Sequence, residues 1–141
     1  MSYTLTLTAA QVRVIRDACE VYGRLGLGQI DCALETLPVA EPRDWSRWHH
    51  AHRTIAAILA PHMGLAINAF LGVGHPRVDE DAHIAWDVRD VLRHHLAWER
   101  ARSEGMTNAD GSRKWPDMMQ VCYDAPMHHS REPLPKIGRD A

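Results

Sequence analysis

The sequence predicts a mainly α fold, a small helical bundle with a short antiparallel β pair formed by an N-terminal strand and a C-terminal strand. Three observations lead there. Apolar residues recur at helical spacing in three long stretches, 8–25, 44–62 and 80–102. Only two stretches, 3–7 and 118–124, have strand-like composition, and a lone strand is unstable without the other. At 141 residues the chain suits one domain, 1–141, large enough to bury a core without disulfides or metal.

Taken in order, "SYTLTLT" alternates polar and apolar side chains with β-branched threonines between them, the pattern of a half-buried strand over 3–7. Its expected partner is "MMQVCYD" at 118–124. Thr8 followed by Gln11 fits a capping box, and Val12, Ile15, Ala18, Cys19, Tyr22 and Leu25 then recur at helical spacing. "YGRLGLGQ" follows, with Gly23, Gly26 and Gly28 each costing a helix up to about 1 kcal/mol relative to alanine, which signals a kink or the close approach of another backbone. A short helical segment from Gln29 to Leu37 is expected before Pro38. Asp44 caps the next helix, with Trp45, Trp48, His52, Ile55 and Leu59 as its core face and Pro61 and Gly64 at its end. "NAFLGVGHPRVDED" reads as loop. Asp79 to Asp81 place acid where it favours the start of the longest helix, whose core face reads Ile84, Ala85, Val88, Val91, Leu92 and Leu96. The helical core thus spans 8–104. "EGMTNADGSRKWPD" is a turn-rich loop, and 125–141 is an irregular tail with too many prolines for a regular element.

Composition excludes several classes. The formal net charge is −2 and the isoelectric point about 6.5, so no global positive field collects nucleic acid or an anionic membrane. No sequence-specific nucleic-acid binding and no membrane association is expected. Cys19, Cys32 and Cys122 are odd in number and lack CxxC spacing, as fits reduced thiols in the cytoplasm. "MSYTLTLTAAQ" lacks the basic start and apolar run of a secretory signal.

Two constellations bear on chemistry. Trp86, Arg89, Arg93 and Arg100 lie on the side of the long helix opposite its apolar face. Arg89 and Arg93, one turn apart, present planar forks to a phosphate or carboxylate, and Trp86 offers a face for stacking a base. The plain alternative is a solvated face on which Asp90 pairs with the arginines, or a subunit interface. Second, His95 lies near the centre of the apolar face with Glu99 one turn on, and His52 holds the same place on the Trp45 helix. If those helices pack together, His52, His95 and Glu99 meet as a metal or acid-base site; otherwise they are buried histidines with ordinary partners. The histidine pairs at 49/50, 94/95 and 128/129 add nothing to a metal site, because adjacent helical residues point about 100° apart. "GRLGLGQ" lacks the GK[ST] of a phosphate loop, "GVGHP" is weaker still, and Ser46, Ser103, Ser112 and Ser130 show no nucleophile elbow.

The stretches "VYGRLGLGQI", "AWDVRDVLRHHLAWER" and "MQVCYDAPMHHSREPLPKI" resemble a recurrent group of small phage and prophage proteins. The shared positions are Leu5 and Thr6, Gly28 and Gln29, Trp86 and Asp87, Arg93 and His94, Leu96 to Trp98, Tyr123 and Asp124, Pro126 and Met127, and Glu132 to Leu134. The resemblance spans most of the chain outside about 36–64, and it carries no catalytic signature. It implies an accessory role in the cytoplasm of an infected cell, such as anti-defence by sequestering a nucleotide-derived immune signal.

The leading expectation is accordingly a non-catalytic protein, without cofactor, that binds a small nucleotide-like ligand between helices or protomers of a homo-oligomer. Arg89 and Arg93 would hold phosphate, Trp86 or Trp98 would stack a base, Gln29 or Asn68 would read polar edges, and His94 is a further ligand-binding candidate. The alternative class is docking onto a host or phage protein through the same Trp and Arg surface, since those residues are enriched in binding hot spots. A metal-dependent enzyme built on His52, His95 and Glu99 is the third reading.

Overall fold

The computed structural model describes residues 3–38, 44–114 and 122–138. Among the described residues four α-helices follow one another: α1 (Ala9–Gly26), α2 (Asp31–Leu34), α3 (Trp45–Leu59) and α4 (Glu80–Ser103), with a 3₁₀ turn at Ala60–Met63. No helix among the described residues is long and apolar enough to cross a membrane.

The helix starts follow local chemistry. The Thr8 hydroxyl accepts from the Gln11 amide and the Gln11 side chain accepts from the Thr8 amide, so two otherwise orphaned donors are satisfied. Asp44 caps α3 by accepting from the Arg47 amide at 3.0 Å. Asp79 leads into α4 without a side-chain cap, and Glu80 and Asp81 in the first turn oppose the helix dipole instead, with Arg100 and Arg102 at the other end. Pro61 removes a backbone donor after α3, and Gly64 at φ 63° closes the 3₁₀ turn in the left-handed region.

The dominant packing is α1 on α4, and the glycines of α1 make it possible. A Cβ on Gly26 would stand 2.4 Å from the Cβ of Ala82, and one on Gly23 would stand 2.9 Å from Trp86 Nε1. Of the two readings of the glycine-rich stretch, kink or close approach, the structure shows the second. Leu27, Val78 and Ala82 form the buried cluster beside this seam, joined by Leu71, Val73 and Trp86. The Leu71 amide donates to the Leu27 carbonyl at 2.8 Å, which ties the loop after the 3₁₀ turn to the end of α1.

The tail lies on another side of α4. Asp87, only 2% exposed, accepts from the His129 amide at 2.7 Å, the Ser130 amide at 3.0 Å and the Ser130 hydroxyl at 2.5 Å. The Arg131 amide donates to Glu80, and Trp98 Nε1 donates to the Tyr123 carbonyl at 3.2 Å. The tail is irregular, as expected, yet fastened at three levels of α4, and it runs antiparallel to it.

Several expectations are corrected. Among the described residues there is no strand, only an isolated bridge between Thr107 and Arg113. Residues 3–7 form no ladder, and Leu5 is 72% exposed, because alternation gives strand propensity but a strand requires a paired neighbour. Of the expected partner strand, 118–121 lie outside the described residues and 122–124 form a turn. The segment after Gln29 is helical only over Asp31–Leu34. No side chain of α3 is fully buried, and Trp45, placed on its core face by periodicity, is 59% exposed, because among the described helices α3 meets α2 and the 3₁₀ turn and makes no contact with α4. The core face expected for α4 is buried only at Ala85 and Val91, while Asp87 and Asp90 are buried with them.

Candidate functional site

A cavity of about 720 Å³ opens between the C-terminal half of α1, α2 and the segment after α3. Glu20 and Arg24 on α1 form one wall, Gln29 and Ile30 the floor between helices, and Asn68 and Phe70 the opposite rim. Asn68 holds φ at 63°, a left-handed conformation that asparagine tolerates better than most residues.

The α1 wall is an ordered polar relay. Arg24 Nε and Nη2 both donate to Glu20 Oε1, at 2.9 and 2.8 Å, and Nη1 donates to Gln29 Oε1 at 2.8 Å. These bonds use three of the five guanidinium N–H groups. Burial pushes the Glu20 carboxyl up, but the Arg24 hydrogen bonds and the charge of Arg89, whose Nε lies 3.5 Å away, outweigh it and leave the pKa below the usual carboxylate value. Cys32 on α2 donates its thiol hydrogen to the Gln29 carbonyl at 2.8 Å, and burial raises its pKa. Gln29 is thus held at both its side chain and its carbonyl, so its amide nitrogen stands in a fixed place on the cavity floor.

The sequence-selected residues divide into two groups. Gln29 and Asn68 line the cavity together. Trp86, Arg89, Arg93, His94 and Trp98 do not. Trp86 fills the seam against Gly23, with the Arg89 and Arg24 guanidinium carbons 5.1 and 5.9 Å from its ring centre. Arg89 Nη1 pairs with Asp90 at 2.5 Å, and Arg93 Nη2 lies 3.3 Å from the same oxygen. His129 reaches Asp90 from the tail, 3.8 Å from its other oxygen. The arginines expected to hold phosphate therefore neutralise the buried Asp90 and support Glu20, and this is the ion-paired alternative moved from the surface into a seam. His94 rests edge-on against Trp98, and Trp98 meets Tyr123 in a T-shaped contact at 5.6 Å. Nor does that arrangement leave Trp86 or Trp98 as an open docking face.

The metal trio does not converge. His52 Nδ1 lies 3.6 Å from Asp31 Oδ1 beside a second, smaller cavity of about 230 Å³, while His95 pairs with Glu99 at 3.3 Å within α4. Among the described residues no group of three His, Cys, Asp or Glu side chains is placed to hold a metal ion.

Asp87 is the residue whose role sequence reading missed. Burial raises its pKa, and the Ser130 hydroxyl with the His129 and Ser130 amides more than reverse that, so the carboxyl titrates below its ordinary value. Three neighbouring contacts fix α4 in the fold: Trp86 fills the α1 seam, Asp87 receives the tail, and Trp98 holds Tyr123. Comparison with known proteins adds no relative, since no family model, no curated protein and no solved structure matches the chain.

Proposed function

We propose that this chain is a non-catalytic phage accessory protein that captures a small nucleotide-like ligand in the cavity between α1, α2 and the segment after α3, with anti-defence sequestration of a host signal as its purpose. The carrying observation is the meeting of Gln29 and Asn68 with Arg24 in one cavity of about 720 Å³, within the size range of small-molecule sites. Phe70 and Met63 supply apolar lining, Gln29, Asn68 and Arg24 supply directional contacts, and the carboxylates Asp17, Glu20, Asp31 and Glu35 also line the cavity, so a phosphate must sit at Arg24 and away from them. Arg24 takes the anion-binding role first expected of Arg89 and Arg93, because it lines the cavity and they do not.

The test is a native mass-spectrometric screen of the purified chain against nucleoside mono-, di- and cyclic phosphates, followed by calorimetry on any binder. Losing a charge-assisted contact at Arg24→Ala should weaken binding roughly 10- to 100-fold. Gln29→Ala should weaken it less. Retention of none of these compounds, or equal affinity in wild type and both variants, would overturn the reading.

A further inference from the structure

We infer that the second, smaller cavity is a binding site for a phosphate group, taken by Arg53 and His49 of α3 and by the Asn68 amide, with His52 and Asp31 as its inner wall.

Helical spacing sets the cluster. His49, His52 and Arg53 stand at i, i+3 and i+4 on α3, so they share one face of it, one turn apart. α2 lies against α3, and its Asp31 closes the cavity from that side, while Asn68 enters from the segment after the 3₁₀ turn. At about 230 Å³ the cavity is smaller than the roughly 300–1,000 Å³ of sites that enclose a whole small molecule, so its size suits a charged group rather than a nucleoside.

The donors here are free. Among the described residues neither the Arg53 guanidinium nor the Asn68 side-chain amide has an ion pair or a hydrogen bond, and both are exposed at the cavity mouth. Arg24 in the larger cavity, by contrast, already engages three of its five N–H groups with Glu20 and Gln29 and stands among four carboxylates. Asp31 is the one carboxylate that lines the smaller cavity, and His52 Nδ1 faces its Oδ1 at 3.6 Å. Arg53, His49 and Asn68 approach from two elements and present donors in several directions, which matches the oxygens of a tetrahedral anion.

Two features of the wall favour such an occupant. His52 Nε2 is buried and has no hydrogen-bond partner among the described residues, and a polar atom left in that state costs stability until a partner reaches it. Asn68 keeps a left-handed φ of 63° without being glycine, and residues held in such conformations cluster where ligands are clamped. Asp31 and Asn68 line both cavities, so the phosphate site adjoins the larger one.

Inorganic phosphate alone is the probe. It is titrated into the full chain at constant ionic strength, with chloride as the balancing anion, while the imidazole signals of His49 and His52 are followed by NMR. At least one of the two should move saturably in the millimolar range. Arg53→Ala, at an exposed position of α3, should weaken the site roughly 10-fold through loss of a charge-assisted contact, whereas Arg24→Ala should leave it unchanged. A wild type in which neither imidazole responds would overturn the proposal. So would equal affinity in wild type and Arg53→Ala. Loss of the response in Arg24→Ala but not in Arg53→Ala would put the anion in the larger cavity and overturn it as well. No nucleotide enters these measurements, so the ligand reading of the larger cavity and this site can each fail while the other stands.

Discussion

Replacing Asp87 by alanine should release the tail from α4 and cost a large part of the domain's stability. The carboxylate accepts three hydrogen bonds from residues 42 and 43 positions away, and it is 2% exposed. A bond to a charged group contributes about 1.5–3 kcal/mol net, and three that share one acceptor do not add fully, so the expected loss is about 3–5 kcal/mol. Against a typical total of about 5–15 kcal/mol that is roughly a fifth or more. Asp87→Asn keeps one oxygen and replaces the other with a donor that faces donors, which places its cost at about half as much. Urea unfolding followed by tryptophan fluorescence gives the magnitude, and hydrogen exchange at the His129 and Ser130 amides gives the location. If Asp87→Ala unfolds at the wild-type urea concentration and leaves both amides protected, the clasp does not hold the tail and the reasoning fails.

Acid should act at the same points. The folded pKa values of Asp87 and Glu20 lie below their unfolded ones, so their contribution is complete above the unfolded values, near pH 4, and disappears as pH falls through the folded values. A stability profile against pH should therefore drop on its acid limb below about pH 4, and Asp87→Asn should flatten it. Gly26→Ala should cost about 1–3 kcal/mol in thermal melts, because the new methyl meets the Cβ of Ala82, which is fixed to the α4 backbone. Asn68→Gly should leave the fold intact or stabilise it by up to about 1 kcal/mol, since glycine accepts φ 63° without strain, while weakening ligand capture through loss of the amide. Cys19 should react with a thiol reagent more slowly than a free cysteine at mildly alkaline pH, because burial raises its pKa.

Local chemistry was the most legible part of the fold. The Thr8 box, the Asp44 cap and the Pro61–Gly64 ending are each set within a few residues, and all are present. The glycines at 23 and 26 signalled a kink or a close approach, and only the tertiary structure decides for the second and identifies α4 as what approaches. Facial reasoning failed on α3 and α4 for opposite reasons. On α3 the periodic face of Trp45 and Trp48 exists, yet no long helix arrives to cover it. On α4 the face opposite the apolar stripe is not solvent, because α1 covers one side and the tail another, and hydrogen bonds from the tail satisfy Asp87 while the arginines pair with Asp90. For the candidate site, Gln29 and Asn68 were found by residue type, whereas Arg24 and Glu20 were not, since a helical ion pair one turn apart is indistinguishable in sequence from a surface pair.

The tail clasp also orders events during synthesis. Asp87 leaves the ribosome ahead of the residues that serve it, because the donors at 129 and 130 are 42 and 43 positions further along the chain. Until they emerge, water must solvate that carboxylate, and the side of α4 that bears it stays hydrated while α1, already made, can dock on the other. Final closure is then a strap drawn over a preformed helical pair. A nascent chain stalled between Ser103 and His129 would present an open, acidic helix face to chaperones and proteases.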